Sequence, residues 1–154
     1  MTTPTNHLIT LWIASRTRLE NQLDVITAYD LKKKLAPSPN SVGYLLQHIA
    51  EVELLFAKNV FGKKDIKIIA HTVIAKKDTG EWTDLEKIRS LLNLSRNILM
   101  NILYMQEEED WGKKIVTKEF GTKTKAQALG RILSHTAYHA GQLGILLKYG
   151  SVTH

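Results

Sequence analysis

The sequence predicts an all-α protein, a four-helix bundle in up-down-down-up order with a long crossover between helices 2 and 3, on three observations. Four segments repeat their apolar residues at steps of three and four, the period of one helix face. The four are long and nearly equal, about 23 to 26 residues or 35 to 39 Å each at the helical rise, which is the proportion of a bundle. The connection between the second and third, residues 62–83, is long enough to run back along the whole bundle.

The first helix is expected over about Thr5 to Thr27, with Leu8, Leu11, Ser15, Leu19, Leu23 and Ile26 on one face and Pro4 in its first turn. The second, about Pro39 to Phe61, carries Leu45, Ile49, Val52, Phe56 and Val60 on its stripe. Ser38 reads as its N-cap, with Asn40 and Ser41 as alternatives, and Gly62 as its stop. Thr83-Asp84-Leu85-Glu86 is a capping box that opens the third helix, which continues through Ile88, Leu92, Ser95, Leu99 and Ile102. Thr124-Lys125-Ala126-Gln127 is the glutamine form of the same box and opens the fourth, which runs to Tyr149 and stops at Gly150. Apolar residues occupy two adjacent stripes of this last helix, so it is expected to be the most buried.

Connection lengths set the order. Ala28 to Ser38 reaches at most about 36 Å fully extended, which favours a second helix returning antiparallel beside the first. Residues 62–83 can cross the bundle and start the third helix parallel to the second. A connection of that length is uncommon unless it packs or works, and its IIAHTVIA stretch is apolar enough to pack. No internal repeat or low-complexity run divides the chain, so residues 1–154 are expected to form a single domain.

Composition narrows the function. With 44% hydrophobic and 23% charged residues the chain is too apolar to be disordered. The N-terminus has no basic lead, and Thr10, Ser15 and Arg16 cut its longest apolar stretch, so neither a signal peptide nor a membrane span is expected and a cytoplasmic protein is. There is no cysteine, which removes disulfides, thiolate ligands and a cysteine nucleophile together; any thiol chemistry must use a thiol from outside. Twenty-one Lys and Arg against fifteen Asp and Glu give a net charge of +6. The lysines fall mostly in the connections, and no nucleic-acid motif accompanies them, so loop charge is the favoured reading over nucleic-acid binding.

Histidine carries the strongest chemical signal. His135 and His139 are four apart on one helix, so their imidazoles can serve a single ion. His48 shares the three-and-four spacing of Leu45, Val52 and Leu55, which directs it into the bundle. Each alone is more commonly a hydrogen-bonded core histidine. Three together would leave buried acceptor nitrogens unsatisfied, at about 1 to 3 kcal/mol each, unless a metal or a polar network takes them. Three imidazoles without a fourth protein ligand leave a position for water or substrate. Glu51 and Glu53 are the nearest carboxylates, and Glu51 is spaced to interact with the site or stand behind it.

The stretch Ser41-Val-Gly-Tyr-Leu-Leu-Gln-His48-Ile-Ala-Glu-Val-Glu53, with His135-Thr-Ala-Tyr-His139-Ala-Gly-Gln142 far downstream, resembles the DinB/YfiT-like superfamily of metal-dependent proteins over essentially the whole chain. The resemblance implies a divalent ion, zinc or nickel, on His48, His135 and His139, in a bundle that often pairs as a homodimer; Tyr138 and Gln142 neighbour the ligands along the last helix and are expected to pack or to stand behind them. It also implies enzymes that use low-molecular-weight thiols, as transferases or isomerases, and members designated metal-dependent hydrolases. The additional C-terminal domain of some mycothiol-using relatives has no counterpart here, so that branch is not the expected one.

Two functional classes follow. In the first, the metal activates a small-molecule thiol or water for transfer or hydrolysis, with Glu51, His71 and Tyr138 as catalytic candidates by residue type. In the second, a non-catalytic, stress-associated bundle, the ion only ties two helices together. His7 and His154 are expected in solvent, whereas His71 in the apolar crossover could reach the mouth of the site. Ser15 and Ser95 are expected to be back-bonded core hydroxyls.

Overall fold

The computed structural model describes residues 2–152. Four long helices carry it: α1 (Pro4–Leu23), α2 (Val42–Asn59), α4 (Leu85–Tyr104) and α5 (Lys125–Tyr149), with a short α3 (His71–Ala75) in the crossover. Each long helix begins on a side-chain cap that satisfies an otherwise unpaired backbone donor. Thr3 accepts from the Asn6 amide and Ser41 from Tyr44, while Asp84 accepts from Lys87 and Thr124 from Gln127. At α5 the Gln127 side chain also accepts from the Thr124 amide, completing the capping box.

Two apolar clusters give the helix directions. One joins Leu19 late in α1, and Ile26 just beyond it, to Leu45 and Leu46 at the start of α2, Ile88 and Leu92 at the start of α4, and Leu143 and Leu146 at the end of α5. The other joins Ile9 and Trp12 to Phe56 and Ala57, Leu99 and Leu103, and Leu129 and Ile132. Helices α1 and α5 therefore run one way, α2 and α4 the other. The order is up-down-down-up, and the crossover joins the parallel pair α2 and α4.

Between these clusters lies a polar layer with one residue from each long helix. Arg16, Glu53, Ser95 and Thr136 are all buried. Arg16 Nε sits 3.2 Å from Glu53 Oε1, the Ser95 hydroxyl donates to Glu53 Oε2, and Arg16 Nη2 donates to the Leu92 carbonyl at 2.6 Å. The Ser15 hydroxyl donates across to the Leu133 carbonyl on α5, rather than back along its own helix.

Several expectations are corrected. The buried face of α1 is Thr5, Ile9, Trp12, Arg16 and Leu19; Leu11 is 56% exposed, so the face is rotated by one residue from the leucine stripe. That face buries Ile9 and Trp12 and takes Arg16 into the bundle, where Glu53 meets its charge. Ser41, not Ser38, caps α2, and Asp84, not Thr83, caps α4. Helix α2 is the most buried, with Val42 to Leu46 covered without interruption, because it packs against both α4 and α5. The crossover packs only in part: Ala70 and Thr72 are buried, whereas Ile69 and Ile74 face solvent.

A β-hairpin, β1 (Lys114–Thr117) and β2 (Gly121–Thr124), precedes α5 and answers to no pattern read in the sequence. Its strands pair antiparallel from Lys114 with Thr124 to Thr117 with Gly121. Gly121 takes φ +69°, the left-handed conformation that closes a three-residue hairpin loop. At the other end of the molecule, Gly43 lets the crossover pass close to α2: a Cβ there would lie 1.9 Å from the Trp82 carbonyl oxygen.

Candidate metal centre

Helix α2 supplies His48 and α5 supplies His135 and His139, one turn apart. Their ring centres form a compact triangle, 5.0 Å from His48 to each of the others and 4.5 Å between His135 and His139. One ligating atom from each lies within 4.8 Å of the others. His48 Nε2 and His135 Nε2 are 3.1 Å apart.

The partners of these rings select their tautomers. His48 Nδ1 lies 3.1 Å from the Thr72 hydroxyl oxygen, and that hydroxyl donates to Glu51 Oε2. Its proton being used, the hydroxyl accepts from His48 Nδ1–H, which leaves the lone pair on Nε2. Glu51 is held in turn: its Oε2 also accepts from the Thr72 amide at 2.9 Å, and Oε1 accepts from Gln47 at 3.0 Å. Tyr44 stacks on His48 with a 5.9 Å centroid separation and donates to the Thr72 carbonyl. On α5, the Gln142 carbonyl oxygen accepts from His139 Nδ1 at 2.6 Å, which again frees Nε2. His135 Nδ1 is buried without a hydrogen-bond partner.

Burial lowers the basicity of all three rings. His48 falls to about 4, mainly by desolvation and further by His139, and His135 to about 3, mainly by desolvation and further by His139, His48 and Arg131. Desolvation lowers His139 as well, against the raising effect of Gln142. All three are therefore neutral near pH 7, with lone pairs available.

The donor set suits a divalent ion. Two nitrogens about 2.1 Å from one ion stand roughly 3.0 to 3.4 Å apart at angles between a right angle and the tetrahedral value, and the His48–His135 separation falls in that interval. Glu51 does not join the cluster, because Thr72 and Gln47 engage its oxygens. Among the described residues the cluster consists of the three histidines.

The rings open onto a cleft of about 730 Å³ between α2, α5, α3 and the hairpin. Val52, Leu55, Phe56, Val73 and Phe120 make it largely apolar, and Lys118, Glu119 and Arg131 bring charge to it. Tyr138 is 64% exposed and meets His139 edge-on at 5.1 Å. His71 is exposed and does not line the cleft; its neighbour Thr72 is the residue that reaches the site. His7 is exposed, and His154 lies outside the described residues. Sequence reasoning missed Thr72, whose only signal is its place in the apolar crossover, and the hairpin groups, which carry no periodic signal.

Residues 11–143 match the DinB superfamily, and the chain belongs to it. The uncharacterized protein YizA of Bacillus subtilis (strain 168) is 25% identical over 122 residues, which cover 78% of this chain and 71% of that one. Among solved structures, a DinB-like protein from Bacillus cereus ATCC 10987 superposes with a TM-score of 0.75 at 17% identity, covering 100% of this chain and 99% of the other. A mycothiol-dependent maleylpyruvate isomerase gives a TM-score of 0.71 at 17% identity over 94% of this chain, which spans 64% of that enzyme. At such identities the likeness shows the shared fold.

Proposed function

We propose that this protein is a divalent-metal-dependent enzyme that activates a low-molecular-weight thiol, or water, for attack on a small electrophilic substrate. The observation that carries the reading is the convergence of three neutral imidazoles, two with tautomers fixed by hydrogen bonds, on the wall of a largely apolar cleft. Zinc or nickel suits such a donor set. When bound, the ion supplies Lewis acidity that lowers the pKa of a coordinated thiol or water.

The chain's own residues do the rest. Thr72 and Glu51 orient His48, Gln142 orients His139, and the apolar walls limit competing water around a reacting group. The likeness to a mycothiol-dependent isomerase supports a thiol over water, and the absence of cysteine makes that thiol a co-substrate. A cytoplasmic homodimer completes the reading. Tyr138, Ile145 and Tyr149, exposed along one stripe of α5, support the pairing. No helix among the described residues is long and apolar enough to cross a membrane.

The test combines metal content with a substrate screen. Protein purified without added metal, then reconstituted with zinc or nickel, should hold one ion per chain and consume an electrophile in a thiol-dependent reaction that chelation stops. Failure to retain either ion, or turnover indifferent to chelation, would overturn the proposal. One ion per chain without thiol- or water-dependent turnover would reduce its role to a crosslink between α2 and α5.

A further inference from the structure

The wall of the cleft opposite α2 carries charge that the three histidines do not use. Arg131, His135 and His139 follow one another at four-residue steps along α5, so the guanidinium and the two imidazoles share one stripe facing the cleft. The Arg131 guanidinium carbon lies 4.7 Å from the centre of the Phe120 ring, and Nη2 lies 3.6 Å from Glu119 Oε1. Lys118, in the same hairpin loop, also lines the cleft. The α5 wall thus carries the Arg131 cation about one turn from His135 and about two from His139, and apolar side chains of α2 and α3 line much of the rest of the cleft.

We propose that the cleft takes an apolar organic acid, with Arg131 receiving its carboxylate and Glu119 occupying that position until the ligand displaces it. This rests on reading the cleft as the substrate site. Phe120 holds the guanidinium against the hairpin, so the cation is positioned before a ligand arrives. Glu119 shows that a carboxylate reaches it, yet at 3.6 Å the contact is longer than a hydrogen bond, and both side chains are at least half exposed. Such a pair is weakly held, whereas a free carboxylate can meet the guanidinium fork through two hydrogen bonds. One to two helical turns separate Arg131 from the imidazoles, or about 6 to 12 Å along the axis. The acid group is therefore held one turn or more from the imidazoles, and the apolar part of the molecule lies against the apolar side chains of the cleft.

Calorimetric titration with 4-phenylbutyrate and with its uncharged amide tests this, on zinc-loaded and on chelator-treated protein. In both forms the acid should bind wild-type protein at least ten-fold more tightly than the amide. Arg131→Gln should remove most of that difference, and Glu119→Gln should strengthen acid binding several-fold while leaving the amide unchanged. Circular dichroism verifies that both variants, changed at exposed side chains, remain folded. Equal affinity for the two probes, no binding of the acid at millimolar concentration, or a preference that persists in Arg131→Gln would overturn the proposal. The chelated arm separates it from the metal reading: loss of metal dependence would leave the Arg131 effect standing, and loss of the Arg131 effect would leave metal binding standing.

Discussion

His48 Nε2 and His135 Nε2 face each other at 3.1 Å across the α2–α5 interface, while His135 Nδ1 is buried with no partner. With His48 Nδ1–H donating to Thr72, the His48 Nε2 atom carries a lone pair that accepts from His135 Nε2–H without an ion, and the same pair of nitrogens is spaced to share an ion once that proton leaves.

His135→Ala should therefore abolish stoichiometric metal binding and any thiol-transfer or hydrolytic activity, yet leave a folded bundle. The two apolar clusters extend to both ends of the molecule and do not depend on this ring. Two remaining imidazoles cannot fix an open tetrahedral site, so zinc affinity should fall by about a hundred-fold or more. Metal analysis, circular dichroism and activity on the same variant decide the matter. Unfolding would point to a structural ion, and full activity without metal would remove the ion from the mechanism.

Thr72→Val should weaken metal binding by about 10- to 100-fold, the usual effect of losing a group that orients a ligand. Valine keeps the shape but neither accepts from His48 Nδ1 nor donates to Glu51. Thr72→Ser retains the hydroxyl and should restore affinity. A competition titration with a chromophoric chelator reads both variants; equal losses in the two would mean that packing, and not the hydroxyl, matters.

The bundle is legible in the sequence because each long helix repeats its apolar residues often enough to mark a face. Ile88, Leu92, Ser95, Leu99 and Ile102 are all buried on α4 as their spacing predicts. The three histidines share that legibility, since His48 lies on the α2 stripe and the other two are one turn apart. Arg16 does not. A charged residue on a helix face reads as a break in the pattern until its partner is known, and Glu53 comes from another helix. Thr72 is hidden for a similar reason: its partners, His48 and Glu51, lie more than twenty residues away. The hairpin strands are four residues each, too short for alternation to stand out.

Gly43→Ala should destabilise the protein by about 2 to 3 kcal/mol, the range of an overpacked interior. The new methyl would collide with the Trp82 carbonyl, a backbone atom that can move only if the crossover shifts, and Trp82 is itself packed edge-on against Tyr44. Gly130→Ala is the contrasting change. Nothing lies within 4 Å of its added Cβ, so the gain in helix propensity should stabilise α5 by roughly 0.5 to 1 kcal/mol. Urea unfolding of the two variants should shift the midpoint in opposite directions; an unchanged or raised midpoint in Gly43→Ala would refute the close-approach account of Gly43.

Arg16→Met should be the most damaging of these changes, because it leaves the Glu53 carboxylate buried without its ion-pair partner, at about 3 to 5 kcal/mol. Adding Glu53→Gln should recover most of that loss, since the amide needs no counter-charge and can still accept from Ser95. The dependence on pH separates this from a packing effect. Burial raises the Glu53 pKa, and Arg16 opposes the rise. A carboxyl whose folded pKa lies above its unfolded value contributes stability that is fully present below the unfolded value, near 4.5, and is lost as pH rises through the folded one. Removing Arg16 lifts the folded value further, so Arg16→Met should go on losing stability above the pH at which the wild-type loss levels off, by about 1.4 kcal/mol for every further tenfold weakening of Glu53 as an acid. The double variant has no Glu53 carboxyl and should lack that slope. Urea unfolding of chelator-treated protein at several pH values makes the comparison, because the histidines then contribute equally to all three proteins. Parallel pH profiles for wild type and Arg16→Met would show that Glu53 does not titrate against Arg16 in the folded state.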